Sequence, residues 1–142
     1  MKKTVIILSM ILMAAPAFSQ DEMKENIYPP ALVIRYKSNI NLTPEQEEFI
    51  KQTYNESQQK FNNLKWEISD AKVSLNEALS ASKVNKNLAI GHLEDLLELE
   101  RKIKVLRMDL YIEVKNKLTK QQQQKLDEMR RKIKNKRSRR RK

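Results

Sequence analysis

The chain has 142 residues, with no cysteine, one histidine and one glycine, and 29 lysines and arginines against 18 acidic residues give a formal net charge of +11. The absence of cysteine excludes a disulfide scaffold, thiolate metal centres and cysteine nucleophiles. A single histidine leaves almost nothing for acid–base or triad chemistry, and a single glycine leaves no phosphate-cradling loop, so the composition points to long helices and to a protein that is not an enzyme.

The first nineteen residues read as a secretory leader. Lys2 and Lys3 form a basic start, residues 5–13 form an apolar run too short to span a bilayer, and Ala17 and Ser19 supply small residues for cleavage after Ser19. No cysteine follows for a lipid anchor. The mature protein is therefore expected to be soluble and exported, with residues 20–27 as a flexible N-terminus. Tyr28-Pro29-Pro30 opens a short helix, with Leu32, Tyr36 and Ile40 turned inward.

Next comes Leu42-Thr43-Pro44-Glu45-Gln46. Thr43 and Gln46 have capping-box spacing, in which the threonine oxygen takes the third N–H while the glutamine reaches back to the cap N–H. Pro44 suits the first helical position. A local staple would pair Leu42 with Glu47, which is not apolar, so Leu42 is expected to pack on another helix. The helix predicted from Pro44 to about Ala81 carries a seam at steps of four and three: Ile50, Tyr54, Ser57, Phe61, Leu64, Ile68, Ala71, Leu75 and Ala78. Trp66 falls off that seam and marks a second face. Residues 80–85 read as the turn, with Asn85 capping the next helix. That helix has a stripe of Leu93, Leu96, Leu99, Ile103, Leu106, Leu110 and Val114. Leu97, Val105, Met108, Tyr111 and Ile112 add more apolar surface than one neighbouring helix can cover. Gly91 lies early in it, where a glycine suggests a close helix crossing.

A second box, Leu118-Thr119-Lys120-Gln121-Gln122, starts a last helix with Leu126, Met129 and Ile133 as its stripe. Leu118 also lacks a staple partner, because Gln123 is polar. Residues 130–142 then hold ten lysines and arginines and no acid. Without those ten and the two in the leader, 17 basic residues face 18 acidic ones, so the body is near neutral. The segment 136–142 is expected to be disordered. Arg137, Arg139, Arg140, Arg141 and Lys142 are its candidate polyanion-binding residues, for anionic lipid or glycolipid; export argues against nucleic acid. The predicted fold is all-α: a long antiparallel helical hairpin with short N- and C-terminal helices over residues 28–135. Its uncovered apolar faces imply a homodimer.

This order of a leader, Pro-Pro and a short helix, then two Leu-Thr-x-x-Gln boxes flanking two long helices, resembles the Spy/CpxP family of periplasmic stress proteins. It is most similar to the branch described as heavy-metal sensor or resistance proteins, in the stretches Pro29-Pro30-Ala31-Leu32-Val33-Ile34-Arg35-Tyr36 and Leu96-Leu97-Glu98-Leu99-Glu100-Arg101-Lys102-Ile103-Lys104. The resemblance implies a dimeric helical cradle that binds unfolded envelope proteins without ATP and needs no cofactor. The alternative it implies is a regulatory adaptor or metal sensor signalling to a membrane-bound stress sensor. Trp66, Met108, Tyr111 and Ile112 are the candidate client-binding surface. His92, near Glu94, Asp95 and Glu98, is the one candidate metal ligand, and a weak set for a borderline metal.

Overall fold

The structure, a computed structural model, describes residues 26–139. The leader and its cleavage site lie outside the described residues, as do Arg140, Arg141 and Lys142. The described chain is all-α, with four helices: α1 (Pro30–Arg35), α2 (Pro44–Ser80), α3 (Lys86–Lys117) and α4 (Lys120–Arg139). No helix among them is long and apolar enough to cross a membrane.

Each helix starts where its local chemistry dictates. Pro30 opens α1 behind Pro29, where a missing N–H costs nothing. Thr43 caps α2 with the full reciprocal box. The Leu88 N–H donates to the Asn85 side chain at 3.2 Å, capping α3. The second box opens α4, while the Gln123 side-chain amide donates to the Lys115 and Leu118 carbonyls and closes the end of α3. Residues 81–85 connect α2 to α3, which pack against one another.

The core lies at the end of the molecule where the two boxes meet. Tyr28, Val33, Ile40, Ile50, Leu110, Val114, Leu118 and Leu126 form one buried cluster, with Leu32, Tyr36, Leu42, Phe49, Tyr111 and Met129 packed against it. Leu42 and Leu118 thus pack on other elements, as the missing staples require. On the N-terminal segment, Tyr28, Pro30, Val33 and Ile40 are buried, Ile40 as expected, whereas Leu32 and Tyr36 are only partly buried. The cause is α1's brevity: at six residues it buries only Pro30 and Val33, and the chain on either side supplies the rest.

Away from that end burial falls off. The predicted α2 seam is half-buried from Ser57 to Ala78, and Tyr54 within it is exposed. Leu79, Val84, Leu88, Ile90 and Leu93 are all exposed, so Leu93 does not belong to the buried stripe. Gly91 does not mark a close crossing: a Cβ built there meets no atom within 4 Å. Its substitution by alanine removes a helix-breaking residue without a clash. G91A is expected to stabilise the fold by about 1 kcal/mol, measured as a raised thermal midpoint.

The start of the basic run is helical. α4 continues to Arg139, beyond the boundary at residue 136. Cations near a helix C-terminus oppose its negative end, which favours the extension.

Candidate functional site

The two boxes are joined to each other. Within each, the Gln46 N–H donates to Thr43 Oγ1 at 3.2 Å and the Thr43 N–H to Gln46 Oε1 at 3.1 Å; the matching distances for Gln122 and Thr119 are 3.2 and 2.9 Å. Between them, Gln46 Nε2 donates to Gln122 Oε1 at 3.0 Å and Gln122 Nε2 returns a bond to Gln46 Oε1 at 2.8 Å. The remaining donor of each amide reaches the backbone just before the other box. Gln46 bonds the Lys117 carbonyl at 2.8 Å and Gln122 the Asn41 carbonyl at 3.2 Å. The arrangement is a local two-fold: box, amide and acceptor carbonyl repeat at equivalent positions. Both glutamines are buried, at 9% and 6% exposure, and no buried polar side-chain atom among the described residues lacks a partner.

Asn41 takes a positive φ of 53° on the way into the first box. Asparagine is one of the few residues that enters this region at modest cost, and its carbonyl is the one that Gln122 uses.

The segment before α1 is tied to α4. The Tyr28 hydroxyl donates to Asp127 Oδ1 at 3.0 Å, and the Arg130 guanidinium lies 4.7 Å over the Tyr28 ring and bonds the Ile27 carbonyl. Burial, then the bond to the Asp127 carboxylate, push the Tyr28 hydroxyl up to about 12 from an ordinary 10.0. A phenol whose folded value is raised keeps its proton in the fold after the unfolded chain has lost it. Stability linked to Tyr28 is therefore full below pH 10 and lost as pH rises toward about 12. Chemical denaturation across that range is expected to show this decline in the parent and a shallower one in Tyr28→Phe.

The predicted surface residues do not form one patch. Trp66 is 73% exposed, about half a turn round α2 from Leu64 and Ile68 on the seam. Tyr111 is partly buried against the core. Met108 and Ile112 share a face of α3, one turn apart, with Ile112 exposed. Leu97 and Val105, already among the extra apolar residues of this helix, are exposed and lie close to whole turns from Met108, and exposed Ile90 extends the face toward the α2–α3 connection. Arg101 and Lys104 interleave with them.

A groove of about 240 Å³ opens beside the core, lined among others by Pro30, Tyr54, Phe61, Leu106, Arg107 and Tyr111. Lys65 and Arg107 each stand 5.9 Å from the centre of the Phe61 ring, an arrangement in which cations flank an aromatic face. His92 gathers no ligand set: no group of three or more His, Cys, Asp or Glu residues among the described residues is placed to hold a metal ion.

No protein-family model matches the chain, and neither a curated protein nor a solved structure matches it significantly.

Proposed function

We propose that this protein is an exported, Spy/CpxP-like stress protein that binds partly unfolded proteins without ATP or cofactor. In this reading α2 and α3 form an antiparallel hairpin, locked at one end by the paired boxes. Two copies associate into a cradle. The observation that carries the reading is the row of uncovered apolar side chains on α3, Ile90, Leu97, Val105 and Ile112, interleaved with cations. Apolar area gives weak, non-directional attraction for any exposed hydrophobic segment. The interleaved charges keep that attraction shallow and draw in acidic stretches of a client. Trp66 and the groove beside Phe61 add aromatic surface. Such contacts hold a chain while it collapses and release it as its own core forms.

The test is suppression of aggregation of a chemically denatured model client by the purified mature protein. Suppression that falls when Leu97, Val105 and Ile112 are replaced by serine supports the reading. No suppression at several-fold molar excess rejects it. Light scattering after size separation tests the dimer separately, with a concentration-independent monomer as the rejecting result.

A further inference from the structure

α4 presents a straight ladder of cations on one face. Lys125, Lys132, Lys136 and Arg139 stand at spacings i, i+7, i+11 and i+14, close to whole turns of the helix. All four are exposed, and none is held in an ion pair among the described residues. At 1.5 Å per residue the ladder is about 21 Å long. It begins inside the folded body, since Lys125 adjoins the fully buried Leu126, and Gln122 and Asp127 bind the helix to the rest of the chain. The one carboxylate beside it is Glu128.

We infer that this face of α4 docks the protein on an anionic phospholipid surface. A plane touches one side of a rod, and here four cations reach that side together without prior ordering of a flexible tail. Adsorption is electrostatic and shallow. Leu126 is committed to the core and Met129 and Ile133 are partly buried, which leaves no apolar stripe on this helix to insert into acyl chains. Residues 130–142 contain no aromatic side chain on which bases could stack, and the leader-like N-terminus points away from the nucleic acid compartment. Because the charge of the body is near balance, attraction is confined to α4. The α2–α3 pair is thereby held at the surface by one end. This inference is independent of the chaperone reading.

The experiment is co-sedimentation of the full mature chain with phosphatidylcholine vesicles, with and without phosphatidylglycerol. Each Lys or Arg near an anionic surface contributes about 1 kcal/mol, or roughly fivefold in partitioning. The variant K125Q/K132Q/K136Q/R139Q is expected to lose several hundred-fold in binding to the phosphatidylglycerol vesicles. K60Q/K72Q/K83Q/K102Q removes the same charge from exposed positions on α2, α3 and their connection, and is expected to stay within a few-fold of the parent. Circular dichroism checks that both variants keep their helix content. Equal losses in the two variants would show that net charge alone acts and would overturn the inference. So would equal binding to neutral vesicles, or displacement of the protein from the anionic vesicles by short duplex DNA at equal charge.

Discussion

Replacing Gln46 with alanine is expected to lower the unfolding free energy by about 3 kcal/mol, because each buried polar group left without a partner costs about 1–3 kcal/mol. The substitution removes both bonds between Gln46 and the Gln122 amide, leaves the Lys117 carbonyl without its amide donor and removes the acceptor for the Thr43 N–H. Gln122→Ala does the same in mirror image, stranding Gln46 and the Asn41 carbonyl. The double variant removes both amides at once, so it is expected to cost less than the sum of the singles, with a coupling of about 1–3 kcal/mol. Urea denaturation with an unchanged slope measures all three. Strict additivity would mean that the two amides do not act on each other. Gln46→Glu adds a finer check. A carboxylate still accepts from Thr43 and from Gln122 but has nothing to donate to Lys117. The loss should be largest at neutral pH and shrink in acid, where protonation of the new carboxyl group restores a donor.

The second large effect concerns where stability resides. Leu126 is 0% exposed and sits in the cluster that joins α4 to Ile40, Ile50 and Val114. Leu126→Ala is expected to cost about 2–5 kcal/mol, the range for a large-to-small change in a packed core. Leu79→Ala, at a position 52% exposed near the α2–α3 connection, is expected to stay within about 0.5 kcal/mol of the parent. Hydrogen exchange gives the same comparison without substitutions. Amides of α2 near Ile50 and of α3 near Val114 should require global opening, and those near Leu79 and Leu88 should exchange through local opening. Uniform protection along both helices would contradict this gradient.

Much of the fold is legible in the residues. Thr43, Asn85 and Thr119 begin helices because each places a side-chain acceptor where free N–H groups need one. The periodicity of Ile50 through Ala78 finds the right face of α2. The pairing of the boxes is also written in the sequence, in a form that treating each box separately does not reveal. A capping box accepts either glutamate or glutamine at its third position, and both copies here use glutamine. Of the two, only the amide both donates and accepts at neutral pH, so two amides can satisfy each other in a buried site where two carboxylates would repel. The openness of Gly91 is not legible, because glycine in a helix signals close approach or nothing, and only the neighbouring helix decides which. Nor is the exposure of Leu93: periodicity gives the face of a helix and does not say how far along it the partner extends. Size and position off the seam single out Trp66, Met108, Tyr111 and Ile112, and neither property says whether residues share a surface.

The pairing of Gln46 with Gln122 joins positions 76 residues apart, and this separation has a kinetic consequence. The contacts nearest the α2–α3 connection are local in sequence and can form early, but the exposed Leu79, Val84 and Leu88 gain little from doing so. Most of the apolar burial arrives only when the two boxes meet. The folding barrier should therefore be crossed late, by the closing of the far ends. In stopped-flow measurements Gln46→Ala and Leu126→Ala should slow refolding, whereas an acceleration of unfolding alone would place the boxes after the barrier. A nascent chain stays open until its last helix has emerged, so the joint that stabilises the protein also times its folding.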